Sequence, residues 1–168
     1  MEEVRIRIKS VRYEVEASLF SEEGAEVRVQ MNQDLEPETI EIHSVGSYSE
    51  CEGRVELSYD ETEVTGMEGS RTAVSFAKEN SGIVSMIREG AVSTVLVFEE
   101  GKRHHCIYNT PIMPFEVCVY TRTVRNAIEG EGILEMDYTV ELRGAQAEHT
   151  KFLMRVWPSF DQPKRSNG

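Results

Sequence analysis

The residues best equipped for chemistry gather at His104-His105-Cys106, with His43, His149, Cys51 and Cys118 elsewhere in the chain. Imidazole and thiolate are ligands that zinc favours, but a zinc site needs three or four of them converging, at spacings such as C-x2-C, and no such spacing occurs. In an extended strand only His104 and Cys106 project to one face, so no metal site is expected. A nucleophilic serine would need a G-x-S-x-G elbow, and Gly46-Ser47-Tyr48-Ser49 lacks the second glycine. Gly130-x-Gly132 lacks both the third glycine and the following helix that would aim backbone N–H groups at a phosphate. No nucleotide or other cofactor is implied. Paired carboxylates for acid–base work cannot be singled out among 30 acidic residues, most of which must be solvated surface.

The elements that would position these groups belong to a chain of 168 residues, enough for one domain with a core that needs no covalent staples. Thirty acidic against 18 basic residues give a formal charge of -12, a field that repels nucleic acid and anionic membrane surfaces, so neither is an expected partner. The alternating Arg5-Ile6-Arg7-Ile8-Lys9 reads as the solvent face of a half-buried strand. No apolar run approaches the roughly 20 residues of a spanning helix. Three cysteines, odd in number, and no signal-like start make a reducing cytoplasm the expected compartment.

Two-residue alternation dominates the chain and spells strands. Val4, Ile6 and Ile8 share one parity while Tyr13, Val15, Ala17 and Leu19 share the other, so a bulge or bend is expected near Ser10-Val11, with residues 11–31 forming a hairpin. Strands follow over 38–48 and 54–62, then around Thr72, Val74 and Phe76, with a turn at Asn80-Ser81-Gly82 leading into 83–88. Ala91 to Phe98 is apolar on both faces, which predicts a strand covered on both sides. Two strands joined at Thr110-Pro111 come next, then a connection over 126–132 with room for a short helical turn. Leu134 to Leu142 alternates without a fault, and a last strand ends at Pro158, leaving a polar tail over 159–168. About ten strands joined by short turns predict an all-β, antiparallel, up-and-down barrel of eight to ten strands, closed or nearly so, within a single domain over 1–158.

Several local signatures fall in one order: Tyr59-Asp60-Glu61, Gly69-x-x-Thr72, Ile87-Arg88-x-Gly90, Phe98-x-x-Gly101, Tyr108-x-Thr110-Pro111, Thr121 and Leu134-x-Met136-x-Tyr138. The set resembles the YwiB-like family of uncharacterised bacterial proteins over roughly residues 38–157. The resemblance implies a calycin-like, that is lipocalin-like, barrel in a bacterial cytoplasm, and no assigned activity. The chain departs from the family at Ile112-Met113-Pro114, where an aromatic residue and glycine usually follow, and in a longer stretch over 11–37.

Within those motifs Glu61, Thr72, Arg88, Tyr108 and Thr110 lie on successive predicted strands. An arginine turned into the barrel needs a carboxylate such as Glu61, because an unpaired buried charge is very costly. The five residues are either a ligand-orienting cluster or a polar network that fixes strand register. The first expectation for function is a non-enzymatic binder of a small hydrophobic or amphipathic molecule in the barrel. The alternative is a filled barrel that interacts through its outside, including as a homodimer, and a third is a hydrolase or isomerase with Glu61 or a histidine as base. A cavity of several hundred cubic ångströms marks the first, and an exposed apolar patch marks the second.

Overall fold

Glu52 and Gly53 both take positive φ, 52° and 76°, and with Cys51 paired to Arg54 they form the two-residue reversed turn whose twist matches a hairpin. Short antiparallel connections recur along the chain. The computed structural model describes residues 1–14, 37–62, 68–142 and 145–159. Ten strands follow in order: β1 (Glu2–Glu14), β2 (Glu38–Cys51), β3 (Arg54–Asp60), β4 (Arg71–Ala77), β5 (Asn80–Glu89), β6 (Ser93–Glu99), β7 (Arg103–Asn109), β8 (Pro114–Ala127), β9 (Ile133–Leu142) and β10 (Ala145–Pro158). Each pairs antiparallel with its sequence neighbours, and β10 pairs with β1 to close the barrel. Closure removes the unpaired edges that an open sheet would offer to other chains. The one helix among the described residues, α1 (Ile128–Glu131), is the short turn expected between β8 and β9, and Ile128 is buried under that end of the barrel.

The interior is packed by the residues of one parity on each strand. Ile6, Leu57, Phe76, Phe98, Leu134 and Met154 are among the largest side chains with essentially no accessible surface. A void large enough for water would leave such lining side chains exposed, so this apolar length of the lumen is filled. A ligand has no room among these side chains.

Three expectations change. β1 runs without a register shift against both β10 and β2, so there is no bulge at Ser10-Val11. Its parity persists, and Ser10 and Arg12 face the lumen while Val11 and Tyr13 face out. The reversal between β4 and β5 is at Lys78-Glu79, since Ala77 pairs with Asn80, and Asn80 to Gly82 already belong to β5. β6 is covered on one side only: Leu96 and Phe98 are buried while Val95 is 50% exposed. The hairpin expected over 11–31 falls outside the described residues beyond Glu14, as does the tail beyond Ser159.

One seam differs from the others. β6 and β7 are in register only at Ser93–Asn109 and Thr94–Tyr108. Beyond that, the turn after Glu99 leans on β8, where Gly101 N–H donates to the Thr121 carbonyl at 2.8 Å. Cys106 is buried beside this seam, and burial pushes its thiol pKa up, so it is a poor nucleophile.

Candidate functional site: a polar belt at one end of the barrel

The lumen changes character where the odd-numbered strands end. Cross-strand pairing puts Tyr59, Thr72, Arg88, Thr94 and Tyr108 at one level on β3 to β7. Across the barrel, Tyr138 pairs with Thr150 and Thr150 with Arg12. Side chains that are inward at this level are polar or aromatic, whereas two residues deeper they are Leu57, Val74, Met86 and Leu96. The strands therefore build a polar belt over an apolar plug.

At the centre of the belt the Thr72 hydroxyl donates to Glu61 Oε1 at 2.6 Å, Arg88 Nη2 reaches the same oxygen at 3.3 Å, and Arg88 Nε donates to Thr72 Oγ1 at 3.3 Å. The Glu61 side chain is 1% exposed and that of Arg88 13%. The carboxylate beside the guanidinium is the arrangement that a buried arginine requires. Glu61 sits just past β3, where its N–H donates to the Ser70 carbonyl at 2.8 Å and so holds the chain against the start of β4.

Tyr108 joins this group without bonding to it. Burial raises its phenol pKa, Glu148 raises it too, and both Arg88 and Arg12 oppose the rise, so the hydroxyl lies within the field of two guanidinium groups. Its ring stacks on Phe115 at 5.3 Å. Tyr59 and Tyr138 are buried, and desolvation pushes both phenols above the usual tyrosine range. Thr110 stands apart. Its side chain closes the exposed 110–113 loop, donating to the Met113 carbonyl at 2.7 Å and accepting from Met113 N–H at 3.2 Å. Of the five residues singled out in the sequence, Glu61, Thr72 and Arg88 are in contact, Tyr108 faces them, and Thr110 shapes the rim.

Sequence reasoning passed over Arg12, Thr94, Tyr138, Glu148 and Thr150. Arg12 Nε is 3.6 Å from Glu148 Oε1, beyond hydrogen-bonding distance, and is buried with no hydrogen-bond partner. Thr150 donates to that same Glu148 oxygen at 2.9 Å. The Thr121 hydroxyl, on β8 at the level of Tyr138, is likewise buried with no hydrogen-bond partner. Among the described residues the belt thus holds two buried polar groups without a hydrogen-bond partner, Arg12 Nε and the Thr121 hydroxyl, while each arginine faces a carboxylate, Arg12 that of Glu148 and Arg88 that of Glu61.

Other chemistry-bearing groups are dispersed. His104 and Cys106 share a face as expected, but His104 Nε2 is bonded to Glu99 at 3.1 Å and Cys106 points into the core. Among the described residues no three metal-ligating side chains converge. His149 Nε2 lies 2.6 Å from Asp137 and its ring stacks on Tyr13, a pair on the outer wall away from the belt.

The closed meander, its filled lumen and the polar belt define an all-β up-and-down barrel with one polar end, consistent with the calycin-like architecture that the motifs implied. A family model described as "Domain of unknown function (DUF1934)" matches residues 26–154, and the chain belongs to that family. The crystal structure of the ywiB protein from Bacillus subtilis superposes with a TM-score of 0.65 at 19% identity, over 92% of this chain and 91% of that one, a likeness of fold. No curated protein matches the chain.

Proposed function

We propose that the protein is a non-enzymatic binder of a small amphipathic molecule with a single anionic head, held at the polar belt rather than along the lumen. The observation that carries this reading is the buried Arg12 Nε, a donor without an acceptor. A buried donor left unbonded costs roughly 1–3 kcal/mol, which a carboxylate or phosphate oxygen would recover. The stacked Tyr108 and Phe115 rings and the exposed Ile112 and Met113 flank the belt and supply an apolar bed for the rest of the molecule. Glu61 is already committed to Arg88 and Thr72, so it orients the arginine and does not act as a base. Free thiols at Cys51, Cys106 and Cys118 support a reducing compartment, the cytoplasm, as the place of action.

Octanoate is a suitable probe, with octanol as the uncharged control. Titration followed by amide and arginine Nε–H resonances should shift Arg12, Arg88 and their strand neighbours with octanoate and not with octanol. Arg12→Met should weaken octanoate binding by about 10- to 100-fold, the weight of one charge-assisted hydrogen bond. Equal binding of octanol, or unchanged affinity in Arg12→Met, would refute the reading.

A further inference from the structure

β1 and β10 come from opposite ends of the chain and meet where the barrel closes. Their outward rows, with that of β2, gather cations from three strands. Arg7 stands directly across from Arg155 on β10 and from His43 on β2, and in the next row Arg5 stands across from Trp157 and Val45. These positions are exposed, and Trp157, the single tryptophan of the chain, is 39% so. Like charges directly opposite each other on a sheet repel. Several outward cations elsewhere are matched: Arg71, Lys78, Arg103 and Arg125 each have a carboxylate within 4 Å. Here Arg7 has only Glu41, at 3.7 Å, and among the described residues Arg5 and Arg155 have none. The surrounding carboxylates serve other groups. Glu3 accepts from Ser159 Oγ at 2.8 Å, Glu135 pairs with Arg125 at 3.3 Å and Asp60 with Arg71 at 3.8 Å, while Glu2, Glu129 and Glu131 line a separate groove beside Trp157.

We propose that this corner of the outer wall binds a free nucleotide, with the phosphates on Arg5, Arg7 and Arg155 and the base on the Trp157 indole. Guanidinium forks match phosphate oxygens in paired charge-assisted hydrogen bonds. The flat face of an indole accepts any base by stacking. Outward positions on one strand recur at roughly 7 Å, so Trp157 and the Arg7–Arg155 row are separated by a distance comparable to that between a base and the phosphate of its own nucleotide. Between them Arg5, His43, Val45 and Trp157 line a surface groove of about 220 Å³, which covers only part of such a ligand and sets a modest affinity. The glycine-rich loops that the sequence lacks are not needed, since side chains supply the donors. The bordering carboxylates also select the occupant. A nucleic-acid strand or an anionic membrane would carry further phosphates over Glu2, Glu3 and Glu41, whereas a single nucleotide ends inside that ring. At physiological salt, charges beyond about 8 Å are screened, so the local cations outweigh the net charge of -12. The site lies outside the barrel and is independent of the belt.

Titration of the nitrogen-15-labelled protein with ADP, followed by backbone amides and the Trp157 indole N–H, tests the proposal. ADP should shift the indole together with the amides of Arg5, Arg7 and Arg155. Adenosine and pyrophosphate, each one half of the ligand, should bind about 10-fold more weakly than ADP. Arg155→Gln should weaken ADP and pyrophosphate alike by about 10-fold, the weight of one charge-assisted hydrogen bond. Trp157→Leu should weaken ADP to the level of pyrophosphate and leave pyrophosphate unchanged. Should Trp157→Leu lose its far-UV circular dichroism, Arg155→Gln and the comparison of the three ligands decide. An indole unmoved by ADP, equal binding of ADP and pyrophosphate, ADP binding undiminished in a folded variant, or tighter binding of an oligoadenylate than of ADP would overturn the proposal.

Discussion

Replacing Glu61 by glutamine removes one charge and almost no volume at the most buried ion pair among the described residues. The wild-type carboxylate serves Thr72 at 2.6 Å and Arg88 at 3.3 Å from one oxygen. Breaking a buried pair by removing one partner costs about 3–5 kcal/mol, because the remaining charge is left uncompensated. Two features put Glu61→Gln at the lower end. The glutamine carbonyl still accepts from Thr72, and Arg88 reaches the barrel end, where its side chain is 13% exposed. We expect a loss of about 3 kcal/mol, which for a domain of this size lowers Tm by roughly 10 °C. In urea, followed by far-UV circular dichroism, the midpoint should fall by about 1.5 M with an unchanged slope near 2 kcal/mol/M. Adding Arg88→Met should restore much of the loss, since the double variant leaves no buried charge, so the two substitutions should be coupled by about 1–3 kcal/mol. A midpoint in Glu61→Gln within about 0.3 M of wild type, or two substitutions whose effects simply add, would show that the pair contributes nothing to the fold.

Gly46 lies where β2 is squeezed between β1 and β3, and a Cβ there would meet the Ser58 carbonyl oxygen and the Ile6 side chain. Gly46→Ala should therefore destabilise by about 1–3 kcal/mol in the same urea assay, and a neutral result would mean that the strands separate freely at that point. Tyr59 and Tyr138 make stability depend on alkaline pH. Burial holds both phenols above their unfolded value near 10, so the folded state binds more protons than the unfolded one above that pH. Their stabilising effect is fully present below about pH 10 and is lost as pH rises toward the folded values, at up to about 1.4 kcal/mol per pH unit for each tyrosine. Absorbance at 295 nm should show part of the tyrosine signal rising only as the circular dichroism is lost; ionisation of all six near pH 10 with the fold intact would contradict the burial.

Much of the architecture was legible because a barrel writes itself in period-2 alternation. Leu134 to Leu142 lies within β9, the strand read over 54–62 is β3 and ends at Asp60, and the short helix expected between β8 and β9 contains Gly130 and is capped by Gly132. What misled was the assumption that inward means apolar. At the polar end β1 turns Ser10 and Arg12 inward and Val11 and Tyr13 outward, so an apolar pattern crossed faces while the backbone kept its register. The same assumption hid Arg12 from the candidate site. In Ala91 to Phe98 the reverse occurred: apolar residues on both faces suggested double cover, yet Val95 is left on the outside for want of a covering layer among the described residues. Arg88 and Glu61 could be paired in advance because a lone buried charge is not tolerated. Thr110 shared a motif with them but not a level of the barrel, and only strand register tells the two apart.

The location of the bound anion tests the account most directly. A crystal structure of the protein grown with octanoate should show the carboxylate within hydrogen-bonding distance of Arg12 Nε and Arg88, with the alkyl chain against Tyr108 and Phe115. Density for the alkyl chain among Leu57, Phe76 and Phe98, or an empty belt with octanoate bound elsewhere, would contradict it.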